Sequence, residues 1–159
     1  MKKILVAGVA LVIGLQLFAY PTPSFVNKNV EPTASGVNEK LLKNFKDNFP
    51  NAEKVRWQES KDLFEVTFME AGILTRITYD KNGEFNGSLR YYTEKYLPYY
   101  LINVVKNKYP QQKIFGVTEL TTPSGIVYYV KLEGAKYWLT LVLSSDGSMT
   151  VEDKYRKAQ

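Results

Sequence analysis

The residue types that most hydrolases use for catalysis are missing from this chain. Its 159 residues include no histidine and no cysteine. A serine–histidine–aspartate triad, a cysteine nucleophile and an ordinary zinc site therefore cannot be built from it. We expect that the chain is not an enzyme, with no catalytic residue, no cofactor and no metal.

Two groups of acidic residues could still suggest chemistry. Glu65 with Glu70 or Glu84 could pair for acid–base catalysis, but all three fall at polar strand positions or turns, where carboxylates are ordinarily solvated. The segment from Asp80 to Gly83 could belong to a calcium loop, but the other ligand positions of an EF-hand are missing. A hairpin turn with positive φ explains its Asn-Gly pair without a metal. An enzyme would need a carboxylate or lysine of strongly shifted pKa in a cleft.

A third set of residues points to binding. In the strand predicted over residues 126–133, alternate side chains should face a helix, which leaves Val127 and Tyr129 on the opposite, outer face. Aromatic residues, methionine and arginine on an open sheet are typical of protein-binding surfaces. The candidate partner-binding residues are Met69, Leu74, Arg76, Tyr92, Val127, Tyr129, Trp138 and Val142.

The same aromatic residues allow other interpretations. Trp138 and Tyr129 could be buried between two halves of the chain, because small cores must pack together to be stable. The Tyr91-Tyr92 and Tyr99-Tyr100 pairs could stack on sugars, although we expect them to pack the halves together. The alternative function is a small-ligand carrier with an apolar cleft between the halves, lined by Tyr92, Tyr99 and Trp138.

The elements that position these residues occur twice along the chain. From Asn38, apolar residues three and four apart predict an amphipathic helix that ends at Phe49-Pro50. Alternating patterns predict strands around residues 55–57, 64–68, 73–79 and 85–91, with a bulge at Gly87. A second helix is predicted from Pro98 to Tyr109-Pro110, and strands at residues 115–120, 126–133, 136–143 and 149–155.

These patterns predict an α+β fold. Alternation with one polar face is typical of an antiparallel sheet covered on one side only. We predict two tandem repeats, each a helix followed by a four-stranded antiparallel sheet, over residues 37–92 and 93–159. A unit of about 60 residues is marginal alone, so the two repeats should pack together.

The start of the chain predicts export. Lys2 and Lys3, an apolar run and Ala19 resemble a signal peptide over residues 1–19. An uncleaved membrane anchor is the alternative and would be the only membrane contact. Residues 20–36, with three prolines, predict a flexible spacer. Interspersed charges, with no long run of one sign, argue against nucleic-acid binding.

Several of these segments together resemble the PepSY-like family of exported bacterial proteins, which is related in fold to the β-lactamase inhibitory protein. They are the helix ending in Phe49-Pro50, the strands at Val55–Trp57 and Phe64–Phe68, the hairpin at Tyr79–Gly83 and Leu97-Pro98. The resemblance covers about residues 37–155. It implies a periplasmic or secreted protein without catalytic activity, and PepSY domains are associated with peptidase inhibition and regulation. The missing cysteines argue against β-lactamase inhibition itself. We expect a protein or peptide partner in the cell envelope.

Overall fold

The structure, a computed structural model, describes residues 37–158. The predicted signal peptide (residues 1–19) and spacer (residues 20–36) lie outside the described residues. No helix within the described range is long and apolar enough to cross a membrane. The elements are α1 (Glu39–Asn48), β1 (Glu53–Glu59), β2 (Leu63–Glu70), β3 (Ile73–Asp80), β4 (Phe85–Tyr92), a single 3₁₀ turn (Glu94–Tyr96), α2 (Tyr99–Lys108), β5 (Lys113–Thr122), β6 (Gly125–Glu133), β7 (Tyr137–Ser144) and β8 (Met149–Arg156).

The eight strands form one antiparallel sheet, in which each strand pairs with its neighbours in sequence. The expected antiparallel arrangement with two helices is therefore confirmed. Strands β4 and β5 join the two groups of four strands, with Ser88 opposite Thr121 and Tyr92 opposite Val117. Backbone hydrogen bonds make this junction, so the two groups share one continuous sheet.

Both helices begin and end as the sequence predicts. The side chain of Asn38 caps α1, because its Oδ1 accepts a hydrogen bond from the Lys40 N–H at 2.8 Å. After each helix an aromatic residue donates its N–H to the carbonyl four residues earlier, at 2.9 Å for Phe49 and 2.8 Å for Tyr109. These two residues have nearly equal backbone angles, with φ of −130° and −129° and ψ of 62° and 61°. The two aromatic–proline helix ends therefore have the same geometry.

Both helices cover the same face of the sheet. Helix α1 buries Leu41 and Phe45, and α2 buries Leu101 and Val105. Each fully buried side chain of this size contributes about 1.5–3 kcal/mol. Residues paired directly across neighbouring strands lie on the same face of the sheet. One such line begins at a core residue under α1 and ends at a core residue under α2, so both cores lie on the same face of the sheet. The line consists of Phe68, Thr75, Arg90, Glu119, Tyr128 and Leu143.

Aspartates organise the turns that follow β3 and β7. Asp80 Oδ1 accepts the Glu84 N–H at 2.8 Å, and Asp146 Oδ1 accepts the Ser148 N–H at 2.9 Å. These backbone hydrogen bonds lower the pKa of both carboxyl groups below the ordinary aspartate value. Both aspartates therefore have a structural role in their turns.

Candidate interaction surface

On the face without helices, one line of paired residues crosses seven strands. Residues directly opposite each other on neighbouring strands lie on the same face of a sheet. We call this line the central row: Met69, Leu74, Tyr91, Thr118, Tyr129, Val142 and Thr150.

A second line lies beside it on the same face, two residues or about 7 Å further along each strand. We call it the flanking row: Arg56, Thr67, Arg76, Leu89, Leu120, Val127 and Ser144. None of the residues in either row is buried, and Leu74 is 40% exposed. The apolar residues of the two rows adjoin each other, and we call them the outer patch: Met69, Leu74, Leu89, Tyr91, Leu120, Val127, Tyr129 and Val142.

The two rows contain six of the eight residues predicted to bind a partner. Four of them are in the central row and two are in the flanking row. The two rows thus bring together side chains that are up to 73 positions apart in sequence, from Met69 to Val142. The six are Met69, Leu74, Tyr129 and Val142, followed by Arg76 and Val127.

Charged groups border the outer patch on the β2–β3 side. The Arg76 Nε atom lies 3.4 Å from Glu65 Oε1, and both side chains are partly exposed. A solvent-exposed pair of this kind contributes little to the stability of the fold. The pair therefore leaves charged groups exposed beside the apolar surface.

Trp138 lies on the same face, at the far end of β7. It is four residues, about 13 Å, from Val142 along the strand, and it lies opposite Glu133 and Tyr155. Phe115 packs edge-on against it with ring centres 5.0 Å apart. Neither Trp138 nor Tyr129 is buried between the two groups of strands, so the interpretation of these residues as an internal junction is wrong.

Two lysines complete the surroundings of Trp138. The Lys131 Nζ atom lies 5.2 Å from the centre of its ring and 5.0 Å from that of Tyr155, and Lys157 Nζ lies 4.8 Å from the Trp138 ring. Lys157 also donates a hydrogen bond to Glu133 at 2.7 Å, which lowers the pKa of that carboxyl group. We call the group the tryptophan cluster: Phe115, Lys131, Glu133, Trp138, Tyr155 and Lys157.

The placement of Tyr92 on the outer face is wrong. This residue is 7% exposed and packs in the core under α2. Its hydroxyl donates a hydrogen bond to Glu119 Oε2 at 2.6 Å, and Arg90 Nη1 lies 3.1 Å from Glu119 Oε1. Burial, and secondly the bond to the carboxylate, raise the pKa of Tyr92 far above its ordinary value.

The predicted ligand cleft does not form from its three residues. Tyr92 lies on the helix-covered face, Trp138 lies on the opposite face, and Tyr99 is 76% exposed at the start of α2. The sheet itself separates two of them. The small-ligand carrier therefore loses the residues proposed to line its cleft.

The carboxylates considered for acid–base chemistry are also separated. Glu65 lies opposite Thr78 and pairs with Arg76, whereas Glu70 is five residues further along β2 and faces the other side. Glu84 lies in the turn after β3. Residues 37–158 hold no group of three or more carboxylates that could bind a metal.

Several residues of the surface escape sequence analysis because bulges change the direction of side chains. Between β3 and β4 the register runs from Thr78 opposite Gly87 to Tyr79 opposite Phe85, so one residue is extra. Regular alternation from Phe85 would point the Tyr92 side chain to the outer face. The extra residue shifts the alternation by one position, so Tyr91 points to the outer face and Tyr92 to the covered face. A similar bulge between Ile114 and Gly116 turns Phe115 outward. The bulge predicted at Gly87 is confirmed, but its effect on the faces of Tyr91 and Tyr92 was not predicted.

Comparisons with known proteins show a likeness in fold. No protein-family model matches the sequence, and no curated protein matches it. A BLIP-like protein from Bacteroides fragilis shares 16% identity, with a TM-score of 0.58, over 82% of this chain and 91% of its own. A DUF2874 family protein from Bacteroides uniformis shares 15% identity, with a TM-score of 0.56, over 76% and 89%. A candidate periplasmic protein from Bacteroides eggerthii shares 14% identity, with a TM-score of 0.56, over 76% and 88%.

The likenesses concern the architecture of the chain. They confirm the expected BLIP-like fold. Membership of the PepSY-like family stays a prediction from the sequence motifs. The chain is thus an antiparallel eight-stranded sheet with two helices on one face and the fold of BLIP-like proteins.

Proposed function

We propose that the chain is an exported, non-catalytic binding protein that holds a protein or peptide of the cell envelope on the uncovered face of its sheet. The observation that carries this proposal is the outer patch. Eight apolar side chains from six strands lie side by side there, and none of them is buried. A contiguous apolar surface of this kind marks an interaction site more often than an isolated exposed residue does.

The composition of this face favours a protein partner. Tyrosine, methionine and arginine are enriched at protein interfaces, and here Met69, Tyr91 and Tyr129 share one row while Arg76 lies beside it. A sheet fixes the direction of these side chains before a partner arrives. Little side-chain freedom is therefore lost on association, which favours affinity.

Export and the tandem origin of the fold are part of the same proposal. The basic and apolar start of the chain supports export, as does the likeness in fold to a candidate periplasmic protein. The matching helix ends at Phe49 and Tyr109 and the matching turns at Asp80–Gly83 and Ser144–Gly147 support an internal repeat over residues 37–92 and 93–159. The PepSY-like resemblance supports a peptidase as the partner to be inhibited or regulated.

A pull-down from an envelope extract of the source bacterium tests the binding surface. Val142→Lys places a charge in the outer patch, and Tyr99→Lys places the same charge on an exposed helical residue at the covered side. We expect partners recovered by the wild type to be lost with Val142→Lys and kept with Tyr99→Lys. Equal recovery of every partner by both folded variants would contradict the proposal.

A further inference from the structure

The tryptophan cluster has more positive than negative charge. Lys113 lies opposite Glu133 in the same line of residues. Three lysines, Lys113, Lys131 and Lys157, therefore lie at the cluster, against the carboxylates of Glu133 and Asp153 on the same face. The surplus of positive charge favours an anionic ligand.

Lys131 is the cation best placed to bind such a ligand. Its ammonium group lies over the rings of Trp138 and Tyr155 and has no acidic partner within 4.0 Å among residues 37–158. Contact with two aromatic rings restricts the lysine to one region of the surface. The charge is thus positioned in advance and still free to accept a carboxylate.

Apolar surface lies directly beside these charges. Phe115 is 57% exposed although it packs against the Trp138 ring, and Tyr155 is 39% exposed beside the Lys131 ammonium group. Tryptophan and tyrosine are among the residues enriched at the energetic centres of protein interfaces. The ligand should therefore carry an apolar side chain next to its negative charge.

The distribution of charge favours a protein segment over nucleic acid or an anionic lipid surface. Polyphosphates and anionic membranes bind to extended stripes of lysine and arginine. Here Glu133 and Asp153 interrupt the lysines, and the adjoining surface is the apolar outer patch. A single carboxylate with an apolar neighbour matches this pattern better.

We infer that the tryptophan cluster recognises an acidic segment of the partner, in which a carboxylate binds to Lys131 and a neighbouring apolar side chain packs on Phe115. This inference rests on the proposed function, because it names the chemistry of the partner at one end of the same face. It adds Phe115, Lys131 and Tyr155 to the surface.

The two tryptophans of the chain provide the measurement. Protein labelled with 5-fluorotryptophan gives one fluorine NMR signal for Trp138 and one for Trp57, which packs on the helix-covered side and serves as an internal control. The probe is the peptide Gly-Glu-Phe-Asp-Leu-Glu-Gly, acetylated at its N-terminus and amidated at its C-terminus, and the matched control is Gly-Gln-Phe-Asn-Leu-Gln-Gly with the same blocked ends. We expect the acidic peptide to shift the Trp138 signal alone, and the amide peptide to bind about tenfold more weakly.

Variants assign the effect to one lysine. Lys131→Gln should weaken binding of the acidic peptide about tenfold, whereas Lys131→Arg should keep most of the affinity. Lys43→Gln removes the same charge from an exposed position of α1 and should leave the affinity unchanged. Equal shifts from both peptides, or no shift at about 5 mM peptide, would overturn the inference. Stronger binding of polyphosphate or phosphatidylglycerol vesicles than of the acidic peptide would overturn it too. The pull-down with Val142→Lys is independent of these results, so failure here leaves the proposed function standing.

Discussion

The Tyr92 hydroxyl donates a hydrogen bond of 2.6 Å to Glu119 across the pair of strands that joins the two groups of four. Glu119 is 8% exposed, and Arg90 binds its other oxygen. A buried carboxylate needs such partners, because its charge is otherwise costly to remove from water. A polar network thus links strands β4 and β5 on the covered face at the middle of the sheet.

Replacing Tyr92 tests this network. Tyr92→Phe removes one of the two partners of a buried carboxylate and should lower the free energy of unfolding by about 1.5–3 kcal/mol. Tyr99→Phe removes a hydroxyl from a residue that is 76% exposed and should have almost no effect. Urea denaturation followed by circular dichroism measures both. Equal stability of the two variants would show that the hydrogen bond is unimportant.

The same tyrosine predicts a loss of stability in alkali. Its pKa is raised in the folded protein, so its contribution is complete below the unfolded value of about 10 and is lost as the pH rises beyond it. Wild-type protein should therefore lose stability above about pH 10, and Tyr92→Phe should lose less over the same interval. Denaturation curves at several pH values measure this slope, and parallel slopes would contradict the assignment to Tyr92.

Two phenylalanines distinguish the covered face from the open face. Phe68 is 1% exposed in the core under α1, and Phe68→Ala should destabilise the protein by about 3–5 kcal/mol and unfold the first half. Phe115→Ala makes the same change on a residue that is 57% exposed, and its effect should be much smaller. Thermal melts followed by circular dichroism compare them. A Phe68→Ala melt that overlays the wild type would refute the position of the core.

Two glycines test the proposed internal repeat. Gly83 and Gly147 follow β3 and β7 with φ of +83° and +87°, and alanine in this region costs about 1–2 kcal/mol. Gly83→Ala and Gly147→Ala should therefore destabilise the protein by similar amounts, while Gly116→Ala, at an ordinary φ with no neighbouring atom closer than 4.0 Å, should cost less. Clearly unequal costs at the two turns would argue against equivalent turns.

The elements were predictable because periodicity is a local property of the sequence. The helix ends at Phe49 and Tyr109 and the strands over residues 64–68 and 126–133 follow directly from apolar spacing and proline. That all eight strands form a single sheet was harder to predict from the sequence. Pairing of β4 with β5 depends on contacts between residues about 30 positions apart, such as Arg90 and Glu119, and no local pattern encodes them.

The face of a residue is harder to predict than its strand. Alternation identified Tyr129 and Val142 correctly because β6 and β7 pair without a bulge. In β4 one extra residue before Gly87 reverses the order, which moves Tyr92 inside and Tyr91 outside. A bulge depends on the backbone of the neighbouring strand, so its exact position is not written in the spacing of apolar residues.

Site-specific photo-crosslinking in the source cells tests the binding surface most directly. The photoreactive residue p-benzoylphenylalanine is introduced in place of Tyr129 in the central row, and in place of Tyr99 on the exposed part of α2 as the control. The proposed surface predicts a discrete crosslinked partner from position 129 and none from position 99. The same adducts from both positions, or none from position 129, would contradict it.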